Sequence, residues 1–81
     1  MQVEIKLPEL GKDAGQEATV SFFYPEVGDH VNEGDDLVEM LTDKAAFNVP
    51  SPVSGKLLEL VARDNDTVGV GQTLVIIDTD S

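Results

Sequence analysis

The sequence contains no cysteine and no tryptophan, and it has only 5 Lys and Arg against 16 Asp and Glu. Without cysteine there is neither a disulfide framework nor a Cys-based zinc site. The basic residues Lys6, Lys12, Lys44, Lys56 and Arg63 stand isolated among carboxylates, and the formal net charge is -11. Binding to a nucleic-acid backbone needs clustered Lys and Arg that displace counterions, so nucleic acid is excluded as a partner, and anionic membrane surfaces with it. A protein with a basic surface is the better match for this charge. No apolar run approaches the roughly 20 residues that a spanning helix requires. The opening MQVEIKLPEL lacks the basic start and continuous apolar stretch of a secretory signal.

Proline and glycine, by contrast, are spread along the whole chain. Pro8, Pro25, Pro50, Pro52 and seven glycines interrupt 81 residues in which no window shows a helical period. That punctuation predicts a small all-β fold, a single domain over residues 1–81 whose burial only just exceeds its chain entropy. A large enclosed catalytic pocket does not fit this size. Strands are expected over residues 3–8, 18–25, 36–42, 45–50, 55–62 and 72–78. Val3, Ile5 and Leu7 alternate cleanly, whereas LLELV leaves its inward face ambiguous.

Sliding the chain on itself by 37 residues places DHVNEGDDLV (29–38) on DTVGVGQTLV (66–75). Asp29 then matches Asp66, Val31 matches Val68, Gly34 matches Gly71, Leu37 matches Leu74 and Val38 matches Val75. Two halves with the same wiring are predicted, each with a long strand, a very short strand around Val31 or Val68, a glycine turn and another long strand. Facing each other, they would bury their apolar faces as a flattened sandwich or barrel.

The junction between the halves is MLTDKAAFNVP (40–50). With Asp43 and Lys44 as a two-residue loop, Thr42 opposes Ala45, Leu41 opposes Ala46, Met40 opposes Phe47, Glu39 opposes Asn48 and Val38 opposes Val49. This register gathers Val38, Met40, Phe47 and Val49 on one face and puts Glu39 and Asn48 on the other. A shift of one residue would scatter the large side chains, so the pattern places Lys44 at the tip. Asp-Lys supplies no glycine for a primed turn, which favours a type I bend with Asp43 in its first position. Taken alone, a lysine at a loop tip is a solvated side chain.

The words around it add more. TDKAAFNVPSPVSG resembles the lipoyl-attachment hairpin of the dihydrolipoyl acyltransferase (E2) components of 2-oxo acid dehydrogenase complexes, in which a glycine follows eleven residues after the lysine, here Gly55. IKLPELG (5–11) is similar to that family's opening strand and the start of its surface loop, and VGDHVNEGDDLVEMLTDK (27–44) to its turn, strand and tip. The resemblance covers essentially the whole chain. It implies two four-stranded antiparallel sheets with internal pseudo-two-fold symmetry, termini in one sheet and the modified lysine in the other. It also implies that Lys44 is amidated by lipoic acid and becomes a swinging arm of a longer E2 chain, in a bacterial cytoplasm or a mitochondrial matrix.

The implied partners follow from the same resemblance: a thiamine-diphosphate-dependent 2-oxo acid decarboxylase (E1), the E2 catalytic domain, a flavoenzyme dihydrolipoamide dehydrogenase (E3), and a lipoate ligase or lipoyl transferase that installs the cofactor. The isolated domain is expected to be monomeric and non-catalytic, since every chemical step occurs on another domain. Recognition or turn roles fall to Asp43, Ala45 and Glu39, and to Gly11, Lys12 and Asp13 in the polar segment ELGKDAGQEA (9–18), which also reads as a plain connecting loop. Gly34, Gly55 and Gly71 are assigned to turns. The tip MLTDKAAFNVPSP leans to a pyruvate or branched-chain complex.

Three alternatives stay open on sequence alone. A biotinyl domain also modifies a hairpin lysine, but within Met-Lys-Met, from which Asp43 and Ala45 both depart. The lipoylated carrier of glycine cleavage shares a similar SPVSG segment and is longer. An unmodified structural or interaction barrel would make Lys44 incidental. His30 has no nucleophile partner that sequence can place, and it reads as a turn or short-strand residue. The acidic groups Asp35-Asp36 and Asp64-Asn65-Asp66 lack the spacing of a calcium loop and read as solvated turns.

Overall fold

The computed structural model describes residues 1–10 and 15–79. Its elements are β1 (Gln2–Lys6), β2 (Glu17–Phe23), β3 (His30–Val31), β4 (Asp36–Leu41), β5 (Ala46–Pro50), β6 (Gly55–Leu60), β7 (Thr67–Gly69) and β8 (Thr73–Thr79). They form two four-stranded antiparallel sheets, one in the order β1-β8-β6-β3 and the other β5-β4-β2-β7. The expected sandwich is present, and its halves interlock. The short strand of each half leaves its own sheet and pairs in the opposite one, β3 with β6 and β7 with β2.

The 37-residue repeat governs the hydrogen bonds as well as the letters. Glu26 N–H donates to the Asp29 carboxylate at 2.9 Å, and Arg63 N–H donates to Asp66 at 3.0 Å. Tyr24 N–H reaches the Leu37 carbonyl and Val61 N–H the Leu74 carbonyl, both at 2.9 Å. The bulge at Val20/Phe22 in the β2–β4 pairing returns at Leu57/Glu59 in the β6–β8 pairing. A bulge turns successive side chains out of strict alternation, which resolves the LLELV ambiguity: Leu57 is fully buried, Leu58 and Leu60 are half-buried, and Glu59 points to solvent. The core is therefore built from mates, with Val20 and Leu57, Val31 and Val68, Leu37 and Leu74, Val38 and Val75, and Met40 and Ile77 all buried.

Gly34 and Gly71 also behave as mates, with φ of 93° and 89° and open space where a Cβ would sit. Alanine at either costs only the left-handed backbone, about 1–2 kcal/mol. Equal losses of stability are expected for Gly34→Ala and Gly71→Ala in urea denaturation, and clearly unequal losses would show that the two turns are not equivalent. The other repeat-related left-handed pair is Gly28 (φ 97°) and Asn65 (φ 71°), Asn65 being the one non-glycine residue with positive φ among the described residues. Asparagine tolerates this region because its short polar side chain can bond locally.

Gly55 departs from the turn role expected of it. It opens β6, is buried between Val31 of β3 and Thr79 of β8, and keeps a negative φ. A Cβ there would lie 2.1 Å from the Asp78 carbonyl oxygen. Close backbone approach is what requires glycine. Its repeat mate Ala18 has room for a methyl because the β2–β4 pairing stops at Thr19 with Leu41, whereas the β6–β8 pairing runs on to Gly55 with Thr79.

Candidate functional site

The β4–β5 hairpin has the register read from the sequence: Val38 with Val49, Glu39 with Asn48, Met40 with Phe47 and Leu41 with Ala46. Val38, Met40 and Val49 are buried, and Phe47 is half-buried at the rim of the core. The core face thus anchors both strands as far as Met40 and Phe47, one pair short of the exposed Leu41 and Ala46. Asp43, Lys44 and Ala45 are exposed. Neither Asp43 nor Lys44 has a positive φ, so the loop is not a primed turn.

The side chain that shapes the tip is Thr42, which sequence reasoning passed over. Its N–H donates to the Ala45 carbonyl at 2.9 Å, closing the loop. Its hydroxyl donates to the same carbonyl at 3.1 Å and accepts from the N–H groups of Ala45 at 3.1 Å and Lys44 at 3.3 Å. One hydroxyl thereby serves three backbone groups, two of them N–H groups that a glycine-free two-residue loop leaves without ladder partners. The signal was available as a threonine directly ahead of a tight loop with no glycine.

Around the tip the sequence candidates separate. Lys44, Thr42, Ala45 and Phe47 line a depression of about 320 Å³ whose far wall is Pro8, Glu9 and Leu10. The start of the segment between β1 and β2 therefore lies beside the lysine. Gly11, Lys12 and Asp13 fall outside the described residues. Asp43 lines a different depression, with Glu17, Thr19, Leu41 and Thr67. Glu39 lies away from the tip on the outer face of β4, between Asn48 of β5 and Phe22 of β2.

That outer face is braced. Tyr24 Oη donates to Asn48 Oδ1 at 3.0 Å, Asn48 Nδ2 donates to the Asp36 carboxylate at 3.1 Å, and the Phe22 and Tyr24 rings meet edge to face at 4.8 Å. The brace ties both hairpin strands to the end of β2, so the loop stands on a fixed base. Elsewhere, carboxylates of the two acidic groups serve the turns expected of them: Asp35 accepts from Asn32 N–H at 2.9 Å, and Asp66 from Arg63 as described. His30 is an exposed β3 residue opposite Lys56.

An exposed primary amine at a braced tip can be acylated by an external enzyme and then carry the acyl group clear of the fold. Comparison with known proteins places this geometry. Residues 3–77 match the family model described as "Biotin-requiring enzyme". The chain is 45% identical over 74 residues to the dihydrolipoyllysine-residue succinyltransferase component of the 2-oxoglutarate dehydrogenase complex of Bartonella vinsonii subsp. berkhoffii, covering 91% of this chain and 18% of that one. It is 40% identical over 77 residues to the dihydrolipoyllysine-residue acetyltransferase component of the pyruvate dehydrogenase complex of Corynebacterium glutamicum, covering 95% and 11%. The chain thus spans less than a fifth of either relative. The solution structure of the lipoyl domain of the 2-oxoglutarate dehydrogenase complex of Azotobacter vinelandii superposes with a TM-score of 0.77 at 25% identity, covering 98% of this chain and 99% of that one. With its two interlocked sheets and its braced lysine hairpin, the chain belongs to this biotin- and lipoyl-attachment family, as a small carrier domain of the lipoyl kind.

Proposed function

We propose that Lys44 is the attachment site of lipoic acid, held through an amide on Nζ, and that the domain carries acyl groups and reducing equivalents between the E1, E2 and E3 active sites of a 2-oxo acid dehydrogenase complex. The observation that carries this reading is the hairpin itself. Its register turns Val38, Met40 and Val49 into the core with Phe47 at the rim, and leaves Lys44 exposed in the two-residue loop between β4 and β5. When attached, lipoic acid supplies a dithiolane that can accept an acyl group and release it to coenzyme A.

The chain's own contribution is placement. Val38, Met40 and Val49 fix the base of the hairpin, Asn48 braces it, and Thr42 shapes the loop. An amide bond between lipoate and Nζ needs an activated acyl group held against the amine, and a ligase supplies both the activation and the positioning. Tethering then raises the effective concentration of the arm at successive active sites. The acidic surface favours basic rims around those sites and disfavours nucleic acid.

The test is intact mass after incubation with a lipoate ligase, lipoate and ATP, in parallel with a biotin ligase, biotin and ATP. Gain of one lipoyl group and no biotinyl group is expected. A biotinyl gain alone would transfer the chain to the biotin carriers, and no gain from folded protein would leave an unmodified barrel.

A further inference from the structure

We infer that Thr42 is a positioning residue for modification of Lys44, its hydroxyl setting the direction in which the lysine leaves the hairpin. This rests on the lipoyl reading above. The argument begins with what the loop lacks. A two-residue connection without glycine cannot use the primed turns that close a hairpin unaided, and neither Asp43 nor Lys44 takes a positive φ. The backbone of Lys44 and Ala45 is instead held from one side by Thr42 Oγ1, at 3.3 and 3.1 Å. The Lys44 and Ala45 N–H groups belong to the peptide planes on either side of the Lys44 Cα, so holding both restricts its φ and ψ and with them the Cα–Cβ direction.

The pseudo-two-fold axis separates this task from folding. Thr79 is the repeat mate of Thr42, and Thr79 N–H donates to the Met1 carbonyl at 2.8 Å as Thr42 N–H donates to that of Ala45 at 2.9 Å. The β1–β8 pair therefore ends in the same closing bond with no loop residues to hold. The three contacts of the Thr42 hydroxyl belong to the loop, and the loop exists only in the half that carries the lysine. Asp43, the expected turn-former, is turned to the opposite depression.

The hydroxyl matters because an amide-forming step needs the amine within attacking distance of an activated acyl carbon, and small misplacements are costly. A tip without its clamp keeps its exposed residues while sampling unproductive directions of the lysine.

The experiment measures initial rates of lipoylation against domain concentration for wild type, Thr42→Val and Thr42→Ser, with thermal melting and amide hydrogen exchange on each. Thr42→Val keeps the shape and loses the hydroxyl. It is expected to melt close to wild type, to exchange the Lys44 and Ala45 amides faster, and to lose about tenfold in kcat with little change in KM. Thr42→Ser should restore both rate and protection. A Thr42→Val domain lipoylated at the wild-type rate would overturn the inference. So would a variant that melts far below wild type, because the hydroxyl would then serve the fold. If wild type takes no lipoyl group, the lipoyl reading fails, and the exchange rates of the Lys44 and Ala45 amides still decide whether Thr42 orders the tip.

Discussion

Alanine in place of Gly55 is expected to lower the stability of this domain by about 3 kcal/mol or more, at the upper end of what overpacking costs. The methyl would sit 2.1 Å from the Asp78 carbonyl oxygen and 2.8 Å from the Asp78 carbonyl carbon and the Thr79 Cα. All three are backbone atoms of β8, so no side chain can swing aside. Relief requires β6 and β8 to part, and these are the two inner strands of their sheet. For a domain of this size each kcal/mol moves the melting midpoint by roughly 4–8 °C, so a fall of about 12 °C or more is the quantity to read by calorimetry. Ala18→Gly, at the repeat-related position, should show only the modest cost of a lost methyl and a freer backbone. A Gly55→Ala domain melting within a few degrees of wild type would mean that the two strands are not so closely apposed.

The second large effect is chemical. Lys44→Arg is expected to abolish lipoylation entirely while leaving the melting midpoint within about 2–4 °C of wild type, because exposed substitutions rarely cost more than ~0.5 kcal/mol. Arginine preserves the length, exposure and positive charge of the site. Its guanidinium is not deprotonated in proteins and so cannot supply the amine that an amide bond requires. The same variant, placed in the full parent chain, should stop turnover by that domain with each partner active site intact. Residual lipoyl mass on Lys44→Arg would shift attachment to Lys6, Lys12 or Lys56, and peptide mapping would identify which.

Much of this architecture is readable from residues. Period-two alternation with large side chains on a single face sufficed for the hairpin, since one residue of slip would have put Met40 and Phe47 on opposite faces. The offset of 37 residues was visible in Asp29, Val31, Gly34, Leu37 and Val38, and these turn out to be the positions whose contacts recur. The bulges were not readable. They depend on where two strands from different parts of the chain must bend together, and LLELV carries no local mark of that. Gly55 was misplaced because a glycine demanded by the approach of a distant strand looks, in sequence, like a glycine demanded by a turn. Thr42 was overlooked beside the charged pair that follows it, although a hydroxyl, like the side chains of Asn and Asp, can accept from unpaired loop amides. The interlocking of β3 and β7 into opposite sheets likewise depends on long-range pairing alone.

The closing bond between Thr79 and Met1 has a mechanical consequence. The Met1 amino group also meets the Asp78 carboxylate at 3.1 Å, so β1 and β8 end side by side at the two ends of the described chain. Tension applied through both ends would open the β1–β8 ladder like a zipper, one bond at a time, instead of shearing many together. Pull through either end alone would load that ladder only by the drag on the domain itself. The lysine hairpin, in the other sheet, stays out of the line of force in both cases. A single tether at either end therefore leaves the loop that presents Lys44 unstrained.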